Sequence, residues 1–332
     1  MEKLICWLIL TSIEGVGERT VKKLYERFGS CERILTASYE ELVRVVGNKK
    51  AKAIVRRKGV KEPEEIVELI DKRGIGFLTL ESEDYPSFLR SIPDPPPVLF
   101  FEGELKNVPL VGIVGSRRPT AYTLSLVDGM VESALSKGYG IVSGGARGVD
   151  SQAHLSAIGR SGYTACVLGF GILRAHGRPF DDIRASGGLL ISEFHPLERG
   201  SSHTFPKRNR IIAALSDFLI VPEAGARSGA LITADFARKY GKKVYTHIGI
   251  GKSPSWEGCY RLVKDGAELI RDGRDIFGES SPEDPLLSYL REPRTLNDVV
   301  EFLGVDEGKA LSLLTELEME GKVKRIGSFY CS

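Results

Sequence analysis

Cysteine is scarce in this sequence. Its five copies, Cys6, Cys31, Cys166, Cys259 and Cys331, are scattered and odd in number, and no pair has metal-ligand spacing. That excludes a disulfide scaffold and a zinc finger, and it is the usage expected of a reducing, cytoplasmic setting. Long apolar runs are missing too. Leu4 to Leu10 is too short to span a bilayer and no small-residue cleavage site follows it, so no membrane attachment is expected. Net charge is nearly absent: 46 Lys and Arg against 44 Asp and Glu leave +2. A polyanionic partner would have to be met by local clustering. The dinucleotide turn Gly-x-Gly-x-x-Gly is also absent where a nucleotide-binding sheet would carry it. There the sequence reads Gly115-Ser116-Arg117-Arg118, with two bulky arginines where a pyrophosphate would lie. We therefore expect neither a cofactor nor a bound metal.

What is present divides into three parts, as 332 residues allow. Residues 1–73 read as short helices. Ile13-Glu14-Gly15-Val16-Gly17 separates an apolar helix from one that lines up Val21, Leu24, Tyr25 and Phe28. A glycine turn feeding a helix leaves N–H groups that can hold a phosphate, which makes Gly15 and Gly17 candidates. Val46-Gly47-Asn48 repeats the device, in the manner of paired helix-hairpin-helix motifs. From Lys49 to Lys61 there are seven basic residues and no acid. That is either a nucleic-acid footprint or a solvated helical face.

Residues 74–279 follow, with a proline-rich connector at Pro93 to Pro97. Apolar strands at 109–114, 139–142, 164–169, 188–193, 217–222 and 243–248 alternate with helical patterns. This predicts an α/β, Rossmann-like, doubly wound parallel sheet. Ser280 to Pro285 reads as a linker. Residues 285–332 then give three helical patterns and a hairpin, the outline of a winged helix, with Thr295 and Asp298 as a capping box, Asp306 as a cap and Gly321 as a stop. Its would-be recognition helix, Glu307 to Glu320, carries four glutamates against Lys309 alone, so phosphates would repel it. A protein-contacting or autoinhibitory module is the better expectation.

In open α/β sheets ligands collect beyond the carboxyl ends of the strands. Three strands here end in Gly115-Ser116-Arg117-Arg118, Ser143-Gly144-Gly145-Ala146-Arg147-Gly148 and Glu223-Ala224-Gly225-Ala226-Arg227-Ser228-Gly229. Pro206 is placed to open a helix, which would put Lys207, Arg208 and Arg210 near its already positive end. Together these supply seven cations for one rim. Cations stacked there imply an anion, and several in a row imply a strand of phosphates. The alternative is pairing with buried acids such as Glu193 or Glu223. Asp150 and His154 lie one helical turn apart, but no nucleophile or metal cluster accompanies them, so a structural network is favoured over catalysis.

Five motifs in order then carry a resemblance: Gly115-Ser116-Arg117; Ser143 to Asp150 with Ala153-His154; Ser192-Glu193; Phe205-Pro206-Lys207-Arg208-Asn209-Arg210; and Arg227 to Thr233. From about Tyr85 to Ile276 the chain resembles the DprA (Smf) family of DNA-processing proteins. The resemblance implies a core that binds single-stranded DNA, dimerises and helps load RecA recombinase in natural transformation and recombination, without enzymatic activity. It implies phosphate contacts at Ser116, Arg117, Arg147, Lys207, Arg208, Arg210 and Arg227, with Arg118, Gly145, Asn209 and Ser228 in the same motifs. Three departures are visible. Gly145 replaces a leucine, His247-Ile248-Gly249 replaces Pro-Gly-Ser, and the loop Gly171 to Pro179 has lost its usual pattern. That loop gains Arg174, His176 and Arg178, and Phe170 beside it offers a face for base stacking. The enzyme alternative is a nucleotide-monophosphate glycohydrolase with a related core. Its loop would fall at Pro222 to Ala230, which lacks the glycine pair and the terminal glutamate.

Overall fold

The computed structural model describes residues 2–57, 63–249, 253–278, 285–319 and 321–332. The chain divides into two compact units, Met1–Ile276 and Phe277–Ser332. The helical segment and the sheet thus share one unit.

Five helices open the first unit: α1 (Glu2–Ser12), α2 (Glu18–Phe28), α3 (Cys31–Thr36), α4 (Tyr39–Val55) and α5 (Glu64–Arg73). Leu4, Trp7 and Leu10 recur every third residue of α1 and are all buried. Burying each such side chain contributes about 1.5–3 kcal/mol. Helix α4 breaks at Gly47, whose φ of 77° is non-helical, so each expected glycine device does mark a bend between helices. Of the expected basic run, Lys58 and Lys61 lie outside the described residues, and Lys50 donates to Thr20 Oγ1 at 2.6 Å.

The sheet comprises β1 (Gly76–Thr79), β2 (Val98–Glu102), β3 (Leu110–Ile113), β4 (Gly140–Ser143), β5 (Thr164–Val167), β6 (Leu189–Ser192), β7 (Phe218–Val221), β8 (Val244–Thr246) and β9 (Glu268–Leu269). Helices α6 (Ser87–Ser91), α7 (Ala121–Leu135), α8 (Val149–Gly159), α9 (Phe180–Ala185), α10 (Thr204–Leu215), α11 (Ala230–Lys239), α12 (Glu257–Lys264) and α13 (Arg274–Phe277) lie among them. The strand order is β1-β2-β6-β5-β4-β3-β7-β8-β9. Strands β3 to β9 are parallel, and β2 joins β6 antiparallel with β1 beyond it. All six expected strands form, fully buried or nearly so, as a sheet covered on both faces requires. The winding runs outward from β3 in one direction and from β7 in the other. The switch point therefore lies between β3 and β7.

In the second unit, α14 (Pro285–Tyr289), α15 (Leu296–Leu303) and α16 (Glu307–Met319) precede a hairpin of β11 (Lys324–Ile326) and β12 (Phe329–Cys331). A short strand, β10 (Arg294–Thr295), adds to β12. The Thr295–Asp298 capping box forms, and Asp306 accepts the Lys309 N–H at 3.0 Å. Leu290, Val299, Leu314 and Tyr330 make its core. Glu320 and most of the expected linker, 280–284, lie outside the described residues. Among the described residues no helix is long and apolar enough to cross a membrane.

Candidate functional site

Three loops meet at the switch point, and backbone bonds lace them. Ser116 N–H donates to Glu223 O at 2.8 Å, and Val149 N–H donates to Ser116 O at 3.1 Å. Gly148 must be glycine: its φ is +85°, and a Cβ there would stand 2.3 Å from Ser116 O. Between the loops and α10 lies an open crevice of about 610 Å³. Arg117, Arg118 and Arg227 are on its wall, with Arg208 and Asn209 on the α10 side.

Asp150, at the start of α8, organises the loops from beneath. Its carboxylate accepts the Gly115 N–H at 3.3 Å, with the Ala146 and Gly144 amides also directed to it. Burial raises its pKa, against the pull of Arg208 and these amides. The amides of Gly115, Ser116 and Arg118 are thus spent inside the protein, the last on Ser116 Oγ at 3.1 Å. Glycine-loop amides are therefore not available to an anion at those three positions. Contact with an anion there falls to side chains.

Four side chains are free to make it. Arg117, Arg118, Arg147 and Arg227 are exposed and have no acidic partner among the described residues. The Arg117 guanidinium carbon lies over the Phe205 ring, 5.8 Å from its centroid, a cation–π contact that holds the group without an acidic partner.

The other three cations are placed differently. Helix α10 begins at Thr204, not at Pro206, after a turn in which Ser201 Oγ accepts the Thr204 N–H while Thr204 Oγ1 accepts the Ser201 N–H. Lys207 therefore sits at the end of the first turn, and Arg208 and Arg210 in the second. Arg210 is 2% exposed and forks onto Glu193 at 2.5 and 2.8 Å. Burial opposes its charge, and Glu193 outweighs that, so its pKa stays above the ordinary arginine value. Lys207 bridges Glu18 of α2 at 2.5 Å and Glu193 at 3.3 Å. Burial alone would lift the Glu18 carboxyl; its hydrogen bond to Lys207 and that charge bring it below the usual range. Arg208 is buried and donates to the carbonyls of Gly144 and Val167. So the pairing alternative holds for Arg210 and Lys207, while Arg208 charges the crevice floor from within. Asn209 is buried as well, and its amide ties α10 to Gly229 O at 3.2 Å.

The remaining candidates separate by position. Ser116 and Ser228 line the crevice. Gly145 has a φ of +68°, and a Cβ would come within 2.8 Å of both Phe180 and Cys166, so no side chain reaches the rim from it. Phe170 is half-buried, edge-on to Phe180 and Phe205, and serves packing. Arg174 donates to Leu197 O at 2.5 Å and Arg178 pairs with Asp182 at 2.6 Å, which leaves His176 exposed. At the first hairpin, the Glu18 carboxylate takes its own N–H, so the positive end of α2 beyond Gly15 and Gly17 already holds an anion.

His154 and Asp150 do not form a catalytic pair. His154 Nδ1 meets Thr164 Oγ1 at 2.7 Å while Asp150 serves the glycine loop. Burial, with Arg208 nearby, pushes the imidazole pKa down to about 3. Glu223 is buried, with its carboxylate accepting from Thr120 and Thr123, a use that sequence reasoning missed although Thr120-x-x-Thr123 is a capping pattern. Among the described residues no group of acids, histidines and cysteines could hold a metal ion.

Fold and site together define a doubly wound α/β protein with a cationic switch-point crevice and an amino-terminal helical tandem. The family model for the DNA recombination-mediator protein A matches residues 76–281, and that for a SAM-like helix-hairpin-helix tandem matches residues 8–58. The chain is 38% identical over 286 residues to protein Smf of Escherichia coli strain K12, covering 76% of each chain. The crystal structure of DNA processing protein A from Streptococcus pneumoniae superposes with a TM-score of 0.71 at 28% identity, over 82% of this chain and 95% of that one. DNA processing protein A from Helicobacter pylori, whose structure was described for its single-stranded DNA binding mode, gives 0.55 at 28% identity, over 61% and 94%. This chain belongs to the DNA recombination-mediator protein A family, also named DprA or Smf.

Proposed function

We propose that this protein binds single-stranded DNA along the rim formed by the loops after β3, β4 and β7, and so protects strands during DNA processing. The observation that carries the reading is the set of four exposed, acid-free arginines on three adjacent loops. Isolated cations at such positions repel one another unless a polyanion is present. The named binding mode of the Helicobacter relative supports the choice of single strands. Handing the strand to RecA and assembling as a homodimer complete the reading, both by family likeness. The protein acts by binding and not by catalysis: the loop from Pro222 to Ala230 lacks a terminal glutamate, and Glu223 is held by threonines. The glutamates of α16, Glu307, Glu316 and Glu318, suit a protein partner better than a phosphate backbone.

Fluorescence anisotropy at several salt concentrations tests this. Single strands should bind more tightly than duplex, and Arg117→Ala should weaken binding while lowering the salt slope by about 0.7. An unchanged slope removes the rim as the contact surface.

A further inference from the structure

Tyr122, on the first turn of α7, is 51% exposed although it is a large aromatic residue of the α/β core. Its exposed ring is not loose. The hydroxyl meets His247 Nε2 at 3.1 Å, and the two rings lie 5.6 Å apart at 41°. His247 is 7% exposed, and its Nδ1 lies 2.9 Å from Ile270 O. A carbonyl only accepts, so Nδ1 carries the proton, and in the neutral ring Nε2 is left to accept from the tyrosine. The far side of His247 abuts Trp256, edge-on at 5.7 Å. Trp256 in turn packs so closely on Gly249 that a Cβ there would stand 2.2 Å from its indole. Gly249, Trp256, His247 and Ile270 together hold the phenol in one orientation.

Topology says where that orientation is. Tyr122 follows the arginine loop of β3 by a few residues, and His247 follows β8. Strand β7 with its Arg227 loop lies between those two strands. The hydrogen bond therefore carries the Tyr122 ring across the rim to the β8 side. Along the strand ends the order is Arg147, then Arg117 and Arg118, then Arg227, then a half-exposed aromatic face.

We propose that Tyr122 is a stacking platform for one base of a bound single strand, and that His247 is its positioning residue. The proposal rests on the rim being the DNA surface and adds a subsite that reads no charge. A π-face pre-set by a buried partner loses little rotamer freedom on stacking, and every base can use it.

The test compares two oligonucleotides of equal length by anisotropy, one an oligothymidylate and one carrying abasic sites throughout. Tyr122→Ala should weaken the base-bearing strand about 5- to 150-fold. Its salt slope should match the wild type, since no phosphate contact is lost, and the abasic strand should bind as before. Tyr122→Phe keeps the ring and should stay within about threefold, or roughly 0.6 kcal/mol. His247→Leu, verified by its melting curve, should lose part of the same base-dependent increment. Equal losses on both strands, or a changed slope in Tyr122→Ala, would overturn the stacking role. So would wild-type affinity in Tyr122→Ala beside a weakened Arg117→Ala. If Arg117→Ala is silent as well, the rim reading itself fails and this subsite falls with it. Wild-type binding by His247→Leu would overturn the positioning role.

Discussion

Arg117 and Arg210 each sit in a basic motif at the same end of the same sheet, yet they have opposite fates. Arg117 is exposed, with only an aromatic ring beneath it, whereas Arg210 is 2% exposed and clamped to Glu193. The difference lies in the acids within reach. The segments Gly115 to Pro119, Gly144 to Gly148 and Gly225 to Gly229 contain none. Helix α10 instead faces Glu193, with Glu18 and Asp94 completing the cluster. A cation's availability is set by its neighbours and not by the motif that contains it.

The contrast is sharpest in stability. Arg210→Ala takes the bidentate partner from buried Glu193 and leaves it only Lys207 at 3.3 Å, and should destabilise the fold by about 3 kcal/mol in urea unfolding. Arg117→Ala should stay within about 0.5 kcal/mol. Equal losses would erase the distinction between the two sets.

A second effect comes from the burial of His154 beside Arg208. Burial first, and that guanidinium second, keep His154 neutral in the folded state, with a pKa of about 3. The unfolded chain takes up a proton near pH 6.5, so this group contributes stability above that pH and loses it as pH falls toward 3. The slope should approach about 1.4 kcal/mol per pH unit. In His154→Gln that component should vanish, so stability profiles of the two proteins converge on the acid side. Parallel profiles from pH 7 to pH 4 would mean that His154 is not held neutral.

Lys207 gives the smallest effect. Its side chain is 40% exposed, so loss of its pairs with Glu18 and Glu193 should cost no more than about 1 kcal/mol. Because it is committed to those acids, Lys207→Ala should leave the DNA salt slope unchanged. A drop of about 0.7, as expected for Arg117→Ala, would move Lys207 into the rim set.

Periodicity was enough to place the six central parallel strands to within two residues, because each is a buried apolar run closed by glycine or a polar turn. It did not reveal β9 and β10, which are two residues each, or β1, whose pairing with β2 makes it a strand. The rim was legible for a similar reason: glycine-rich loops at strand ends are local features. The pairing of Arg210 with Glu193 spans 17 positions, and that of Lys207 with Glu18 joins α2 to α10. Both are tertiary, and no spacing rule selects them from the other acids. The early start of α10 was within reach, since the Ser201 and Thr204 hydroxyls favour a turn just ahead of it.

The sheet also ends in a way that matters wherever the protein reaches high local concentration. At one edge β9 offers two residues, with Glu268 ion-paired to Lys243 at 2.9 Å. At the other, β1 is four residues long and α1 packs against it. Neither edge presents a long, flat ladder of unsatisfied amides and carbonyls onto which a neighbouring sheet could add. Short, covered edges work against the edge-to-edge addition that high local concentration favours in an open-edged sheet.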